Sequence, residues 1–437
     1  MSRLDRIAPP SRPRVHAGAA PVRRTAAFLA IPAVGALAPF VALPTVTAHF
    51  RASGWAAVAA GQSWGMALSI LVELGWALTG PQRVARLPIQ QARMVFVVAQ
   101  RTKALVVLPV MIIGALLAAL TAPTMPAIAA LTAAAATATG LTSVWYFIGR
   151  NRPAVILITD TMPRLVAVLI TVLLIGTGVG LWCYPVIGML LPSLLAPCTA
   201  ALAAGARPGL GRAFGLRTGG ARRLLAVIFN QRAAVSGRGI SAAYIGMPVA
   251  LIGWFAPAAV AVFAAAERLM RMGLNVLTAV PNSMQSWVGA AVDLDERIRR
   301  ARRAVLINAA LGALAGLSFL LLAPPVSGLI FSGVATVPTS VAVVNAGVCF
   351  LVCTSRATGG IGLVVLGRVP VIAVSAAAGA VVGVPMIILL GPTYGVLGGV
   401  CGELLAEAVV LAVQLTGIGV ALRRRARPGA DRIGDPR

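Results

Sequence analysis

The stretch ALVVLPVMIIGALLAALTAP, residues 104–123, runs without a single charged side chain. Just before it, residues 81–103 read PQRVARLPIQQARMVFVVAQRTK and carry Arg83, Arg86, Arg93, Arg101 and Lys103. An α-helix rises about 1.5 Å per residue, so about twenty apolar residues cross the hydrocarbon core of a bilayer. The two segments together read as a basic loop at a membrane surface followed by a crossing. The same alternation governs the rest of the chain. Hydrophobic residues make up 59% of its 437 positions and charged residues 11%, too few charges to cover a soluble fold of this size.

Eleven further apolar runs lie at about 25–48, 55–80, 126–148, 154–175, 184–205, 239–255, 257–280, 304–323, 340–366, 370–390 and 395–420. Long runs without alternation suit helices rather than barrel strands. The expected fold class is therefore all-α, a polytopic membrane protein with twelve transmembrane helices. The charges support this threading. Lys and Arg number 37 against 11 Asp and Glu, a formal +26. With twelve spans, 32 of the 37 fall in the two tails and in connections on the same side, while the opposite connections hold only Arg51. Such a bias marks the cytoplasmic side, so both termini are expected there. Nucleic-acid binding needs a soluble face to carry the charge. The arginines are read instead as orienting the protein and touching anionic membrane lipids.

The halves divide six and six. The expected organisation is a disordered basic cytoplasmic tail (1–24), a six-helix lobe (25–205), a basic cytoplasmic linker with seven arginines (206–238), a second six-helix lobe (239–420) and a basic tail (421–437). Gly149-Arg150 with Pro153 after span four matches Gly367-Arg368 with Pro370 after span ten. A parallel repeat of this kind commonly places a transport pathway between its halves. Gly395, Gly398, Gly399 and Gly402 have the spacing of close helix contacts. Gly176, Gly178 and Gly180 sit in no strand–helix unit and form no dinucleotide loop. The five cysteines have no metal-like spacing and read as buried inert thiols. No cofactor, metal or enzymatic activity is expected.

Four segments carry a family resemblance. Gly54-Trp55-Ala56-Ala57-Val58-Ala59-Ala60-Gly61-Gln62-Ser63 opens span two, and Glu73-Leu74-Gly75-Trp76 through Gly80-Pro81-Gln82-Arg83 closes it. Trp145-Tyr146-Phe147-Ile148-Gly149-Arg150 ends span four, and Phe263-Ala264-Ala265-Ala266-Glu267-Arg268 lies in span eight, with Val280-Pro281 through Trp287-Val288 beyond it. These resemble the polysaccharide-export (Wzx-like, oligosaccharide flippase) branch of the MATE/MOP superfamily, the multidrug/oligosaccharidyl-lipid/polysaccharide exporters. The chain departs from that pattern in having Ser143-Val144 before the span-four Trp and in carrying Pro32, Pro39 and Pro44 in span one. It also lacks the two extra helices usual in relatives that flip the peptidoglycan precursor.

The resemblance implies a multi-pass transporter of the bacterial cytoplasmic membrane that flips an undecaprenyl-diphosphate-linked oligosaccharide by alternating access. Its partners would include the lipid-linked glycan and the glycosyltransferases and polymerase of the same pathway. An ion-coupled exporter of organic cations is the alternative within the superfamily, and a non-transporting scaffold for envelope synthesis lies outside it.

Ionisable groups inside spans cost at least ~2.5–3.5 kcal/mol each on insertion, so each needs a reason. Asp160 and Arg164 are four apart on span five, and Glu267 and Arg271 repeat that order on span eight, the favourable arrangement for a helical ion pair. Arg268 and Arg356 have no acid at that spacing. All four arginines are candidates for diphosphate contact, since a guanidinium fork binds phosphate oxygens and stays protonated. Glu403 and Glu407, four apart on span twelve, together with Glu267, Asp160 and Glu73, are candidates for ion coupling, because neighbouring carboxylates raise each other's proton affinity.

Overall fold

The structure, a computed structural model, describes residues 20–206, 226, 228–229, 248–277, 279–289, 291 and 293–426. Residues 1–19 of the expected N-terminal tail, most of the expected linker and the start of the seventh span, and residues 427–437 lie outside the described residues.

Every regular element among the described residues is a helix. In chain order these are α1 (Ala20–Glu73), α2 (Trp76–Arg86), α3 (Ile89–Thr121), α4 (Pro126–Ala138), α5 (Val144–Gly149), α6 (Pro153–Ile156), α7 (Met162–Gly176), α8 (Leu191–Ala204), α9 (Pro248–Phe255), α10 (Val260–Leu277), α11 (Ala279–Gly289), α12 (Leu294–Ile330), α13 (Thr339–Ala357) and α14 (Pro370–Ala426). Among the described residues, eight segments are long and apolar enough to cross a membrane: Phe40–Glu73, Ile89–Thr121, Pro126–Gly149, Pro153–Gly176, Tyr184–Ala204, Leu294–Ile330, Thr339–Leu363 and Pro370–Arg425. Their outer faces are apolar, with Leu120 and Leu202 80% and 81% exposed. Such a surface belongs in lipid.

The two longest elements are each a pair of helices joined at a break. In α1 the break is Arg51 (φ 54°), and in α14 it is Gly395 (φ 58°). Both fall where the sequence places a boundary between spans. Glycine takes positive φ without steric cost. Past Gly395, Gly398 lies against the Leu390 carbonyl and Gly402 against the backbone of Ile387. The two arms of α14 therefore run antiparallel at a separation that only small residues allow.

Three π-helical turns interrupt the spans, at Leu157–Thr161, Tyr184–Leu190 and Thr358–Leu363. They contain or adjoin Asp160, Tyr184 and Arg356.

The expected basic loop 81–103 is not a loop. α2 and α3 fill it except for Leu87 and Pro88. Lys103, assigned from sequence to the cytoplasmic surface, is fully buried within α3, and its Nζ donates to the Thr142 carbonyl at 2.7 Å. The apolar run Met94–Ala99 continues the span upstream of the two basic residues that suggest its end.

A second core forms around Trp76, Phe96, Trp145, Tyr146 and Phe147. Trp76 stacks on Trp145 with centroids 5.5 Å apart, so two of the segments that carry the resemblance pack on each other. Gly80 lies against the Trp145 ring.

Replacing Gly402 by Leu forces side-chain atoms into the Ile387 backbone. It is expected to cost about 1–3 kcal/mol, read as a lower unfolding temperature of the purified protein in detergent. Gly419→Leu, on the same helix with nothing within 4 Å of its added Cβ, should leave that temperature unchanged.

Candidate functional site

A polar cavity of about 480 Å³ opens among α10, α13 and α14, with Met66 of α1 on its wall. Local helix geometry builds it. Glu267, Arg271 and Asn275 are each four residues apart on α10 and so share one face. Glu403, Glu407 and Gln414 form the corresponding stripe on α14, and all six line the cavity. Arg356 comes from the last turn of α13, where the π turn brings Gly359 and Gly360 to the wall.

Arg271 holds Glu267 in a two-pronged ion pair, Nη2 to Oε1 at 2.9 Å and Nε to Oε2. The two partners are unequally accessible: the Arg271 side chain is 34% exposed and that of Glu267 only 6%. Arg356 donates to the Leu274 carbonyl at 3.1 Å and stands in the field of Glu407 and Arg271. Glu403 is buried on the facing helix, in the field of Glu267, Arg271 and Glu407. Its Oε2 is buried with no hydrogen-bond partner among the described residues. Deeper along α14, Gln414 accepts from Thr358 and donates to Ser375 at 3.3 Å.

A second, apolar groove of about 510 Å³ runs beside this cavity, lined by Phe40, α10, α12 and Cys349. Met270 and Leu274 belong to both walls.

Of the nine ionisable residues singled out from sequence, the cavity brings together five: Glu267, Arg271, Arg356, Glu403 and Glu407. Arg268 is not on its wall. It lies on the other flank of α10, in the field of Tyr184, with a buried Nε that makes no hydrogen bond among the described residues. Tyr184 in turn accepts from Gln62 at 3.3 Å. Asp160 and Arg164 pair with each other at 3.2 Å, and Arg164 also donates to Ser193. Glu73 is buried at the end of α1. Neither Glu73 nor the Asp160 pair reaches the cavity. Sequence reasoning missed Asn275, Ser375 and Gln414. The signal was present as polar stripes at helical spacing in otherwise apolar helices. Among the described residues no group of three or more His, Cys, Asp or Glu is placed to hold a metal ion.

On the arginine-poor side, α1 is tied to the later helices. Trp55 Nε1 donates to the Ala261 carbonyl at 3.0 Å, and its ring packs on Phe331 with centroids 5.2 Å apart. Thr47 and Ser332 bond hydroxyl to hydroxyl at 3.4 Å, and Ser332 donates to the Pro44 carbonyl.

No protein-family model matches the chain, and no curated protein matches it in sequence. Solved structures do match. The lipid II flippase MurJ in an inward closed conformation gives a TM-score of 0.67 at 10% identity, covering 91% of this chain and 87% of that one. An inward-facing multidrug resistance MATE family transporter of the MOP superfamily gives 0.54 at 14%, covering 92% and 98%. This chain has the MOP transporter fold. A MATE structure in a bent conformation adds 0.55 at 15% identity, covering 93% and 96%. Within the MOP fold of this chain, the polar cavity is lined by Met66 and residues between 248 and 414, and the bonds of Trp55 and Ser332 tie α1 to later parts of the chain.

Arg271→Ala leaves Glu267 buried without its cation, a loss expected to cost about 3–5 kcal/mol. Thermal unfolding of the purified variant reads this directly, and Glu267→Gln in the same chain should recover much of it.

Proposed function

We propose that this chain is a MOP-superfamily flippase that moves an undecaprenyl-diphosphate-linked oligosaccharide across the bacterial cytoplasmic membrane. On this reading twelve spans form two six-helix lobes with both termini inside, and transport proceeds by alternating access. The observation that carries this reading is the pairing of the two cavities. A polar chamber reached by two guanidiniums adjoins an apolar groove through the shared wall of Met270 and Leu274. A cargo with a charged, hydrated head and a long hydrocarbon tail matches that division. The likeness to MurJ supports it as well.

The chemistry follows from the residues. A diphosphate loses its water on entering the membrane and needs donors in exchange. Arg271 and Arg356 supply planar forks that suit phosphate oxygens. Arg268 and Arg164 would meet the head elsewhere on its path. Glu403, Glu407 and Glu267 would couple transport to an ion, with Asp160 and Glu73 as further acids in the spans. On this reading the hydrogen bonds of Trp55, Thr47 and Ser332, which tie α1 to the later helices, hold the arginine-poor side shut. The arginine-rich loops would meet anionic lipids and the glycosyltransferases and polymerase of the pathway.

The three acids of the cavity against two arginines favour one other reading, an exporter of organic cations coupled to an ion gradient. Reconstitution in liposomes separates the two. Under the flippase reading, a fluorescent lipid-diphosphate sugar crosses the bilayer, Arg356→Ala lowers its rate at least about tenfold, and an organic cation is not moved. Movement of the cation alone would establish the exporter.

The closed side gives a second test. Thr47→Cys combined with Ser332→Cys should form a disulfide, since the native hydroxyls already touch. Oxidation should stop transport, and a reductant should restore it.

A further inference from the structure

Arg271 and Glu267 differ in one respect that matters for coupling. The guanidinium reaches into the cavity, whereas the carboxylate is nearly closed off from it. An anionic head can therefore engage Arg271 from the cavity side, and a phosphate oxygen competes with Glu267 for the same N–H donors. What that does to Glu267 depends on its surroundings. On α10 it has Arg271 as its cation. Across the cavity on α14 stand Glu403, which lies in its electrostatic field, and Glu407. On α13 the titratable groups are Cys349, Cys353 and Arg356, the last hydrogen-bonded to the Leu274 carbonyl and facing Glu407. From α1 only Met66 comes to the wall. Once Arg271 turns to an incoming anion, the Glu267 carboxylate is left buried beside a second carboxyl whose Oε2 already has no hydrogen-bond partner among the described residues. A buried carboxylate without a counter-charge neutralises by binding a proton.

We propose that Glu267 and Glu403 form a proton-binding pair that Arg271 blocks in the empty protein, so that capture of a phosphate-bearing head by Arg271 and Arg356 draws a proton onto the pair. This rests on the anionic-head reading above and deepens it. The proton comes from solvent to a Glu267 carboxyl oxygen, and no covalent bond other than that O–H is made or broken. The cation that leaves Glu267 is replaced by the proton, and the charge of the head is met by the departing guanidinium. Anion and proton therefore bind together and are released together.

Linkage fixes the sign. The occupied protein holds more protons than the empty one, so affinity for the anion falls as pH rises through the titration of the pair, by up to about tenfold per pH unit. A short-chain prenyl diphosphoryl sugar is a suitable probe, since a diphosphate diester takes up no proton near neutrality. Its Kd for the purified full chain in detergent can be measured by calorimetry from about pH 6 to pH 8, in buffers of different ionisation heat that count protons directly.

The wild type should take up close to one proton per probe bound. Glu267→Gln should bind the probe with no proton uptake and with a Kd constant within about twofold across that range. Glu403→Gln, as the second member of the pair, should also reduce the uptake. Binding that is independent of pH in the wild type, or a wild-type slope kept in Glu267→Gln, would overturn the proton step while leaving the anionic head in place. Failure of the probe to bind at any pH would overturn both.

Discussion

A cation inside hydrocarbon has to be answered, and the interior of this protein is arranged around the answers. Asp160 answers Arg164, Glu267 answers Arg271, and backbone carbonyls answer Lys103 and Arg356. Insertion of each charge costs several kcal/mol when unmet, so these contacts decide which helix faces can turn inward. The α10 face carrying Glu267 and Arg271 must meet α13 and α14, and the cavity lies where those three meet. Arg268, about 60° round the helix from Arg271, lies off the cavity wall in the field of Tyr184, which bonds Gln62.

Under the proposed flippase reading, the balance of charge in the cavity bears on how the cargo is released. Two arginines alone would hold a diphosphate tightly, and a ligand bound with equal strength in every state shifts no conformational equilibrium. Acids beside the arginines offset that grip and make it conditional on where each guanidinium points. On that reading the ion pair of Glu267 and Arg271 is both a structural staple and a competitor for cargo. The apolar groove has no such conflict. Its wall is hydrocarbon facing hydrocarbon, which suits a tail that never leaves the bilayer.

Much of the architecture is legible because membrane insertion writes itself into composition. The boundary at Arg51 and the close hairpin at Gly395 follow from charge and from glycine spacing. The i, i+4 acid–arginine pairs form as their spacing implies. Lys103 misleads because a basic residue in an apolar run resembles a span end, and only a tertiary contact, here with the Thr142 carbonyl, shows that it is not. The phase of Arg268 against Arg271 is equally hidden. Three helical residues amount to a rotation about 60° short of a full turn. That is enough to separate the two side chains on a helix packed on both sides, yet too little to resolve from a single sequence. Asn275 and Gln414 escape notice since uncharged amides carry no strong insertion cost, although they continue the stripes begun by Glu267 and Glu403.

The π turns at Leu157–Thr161, Tyr184–Leu190 and Thr358–Leu363 each hold one residue more than an α-helical path needs, and each sits beside a polar group of the interior. An extra residue is a stored rotation. Drawn into regular α-helix, it would swing everything beyond it by about 100° about the helix axis without altering a single side chain. Lineages that lose or gain one residue at these turns would therefore re-aim whole rows of a span at once. The polar lining of such a protein can be reset by length changes that a comparison of residue types alone would pass over.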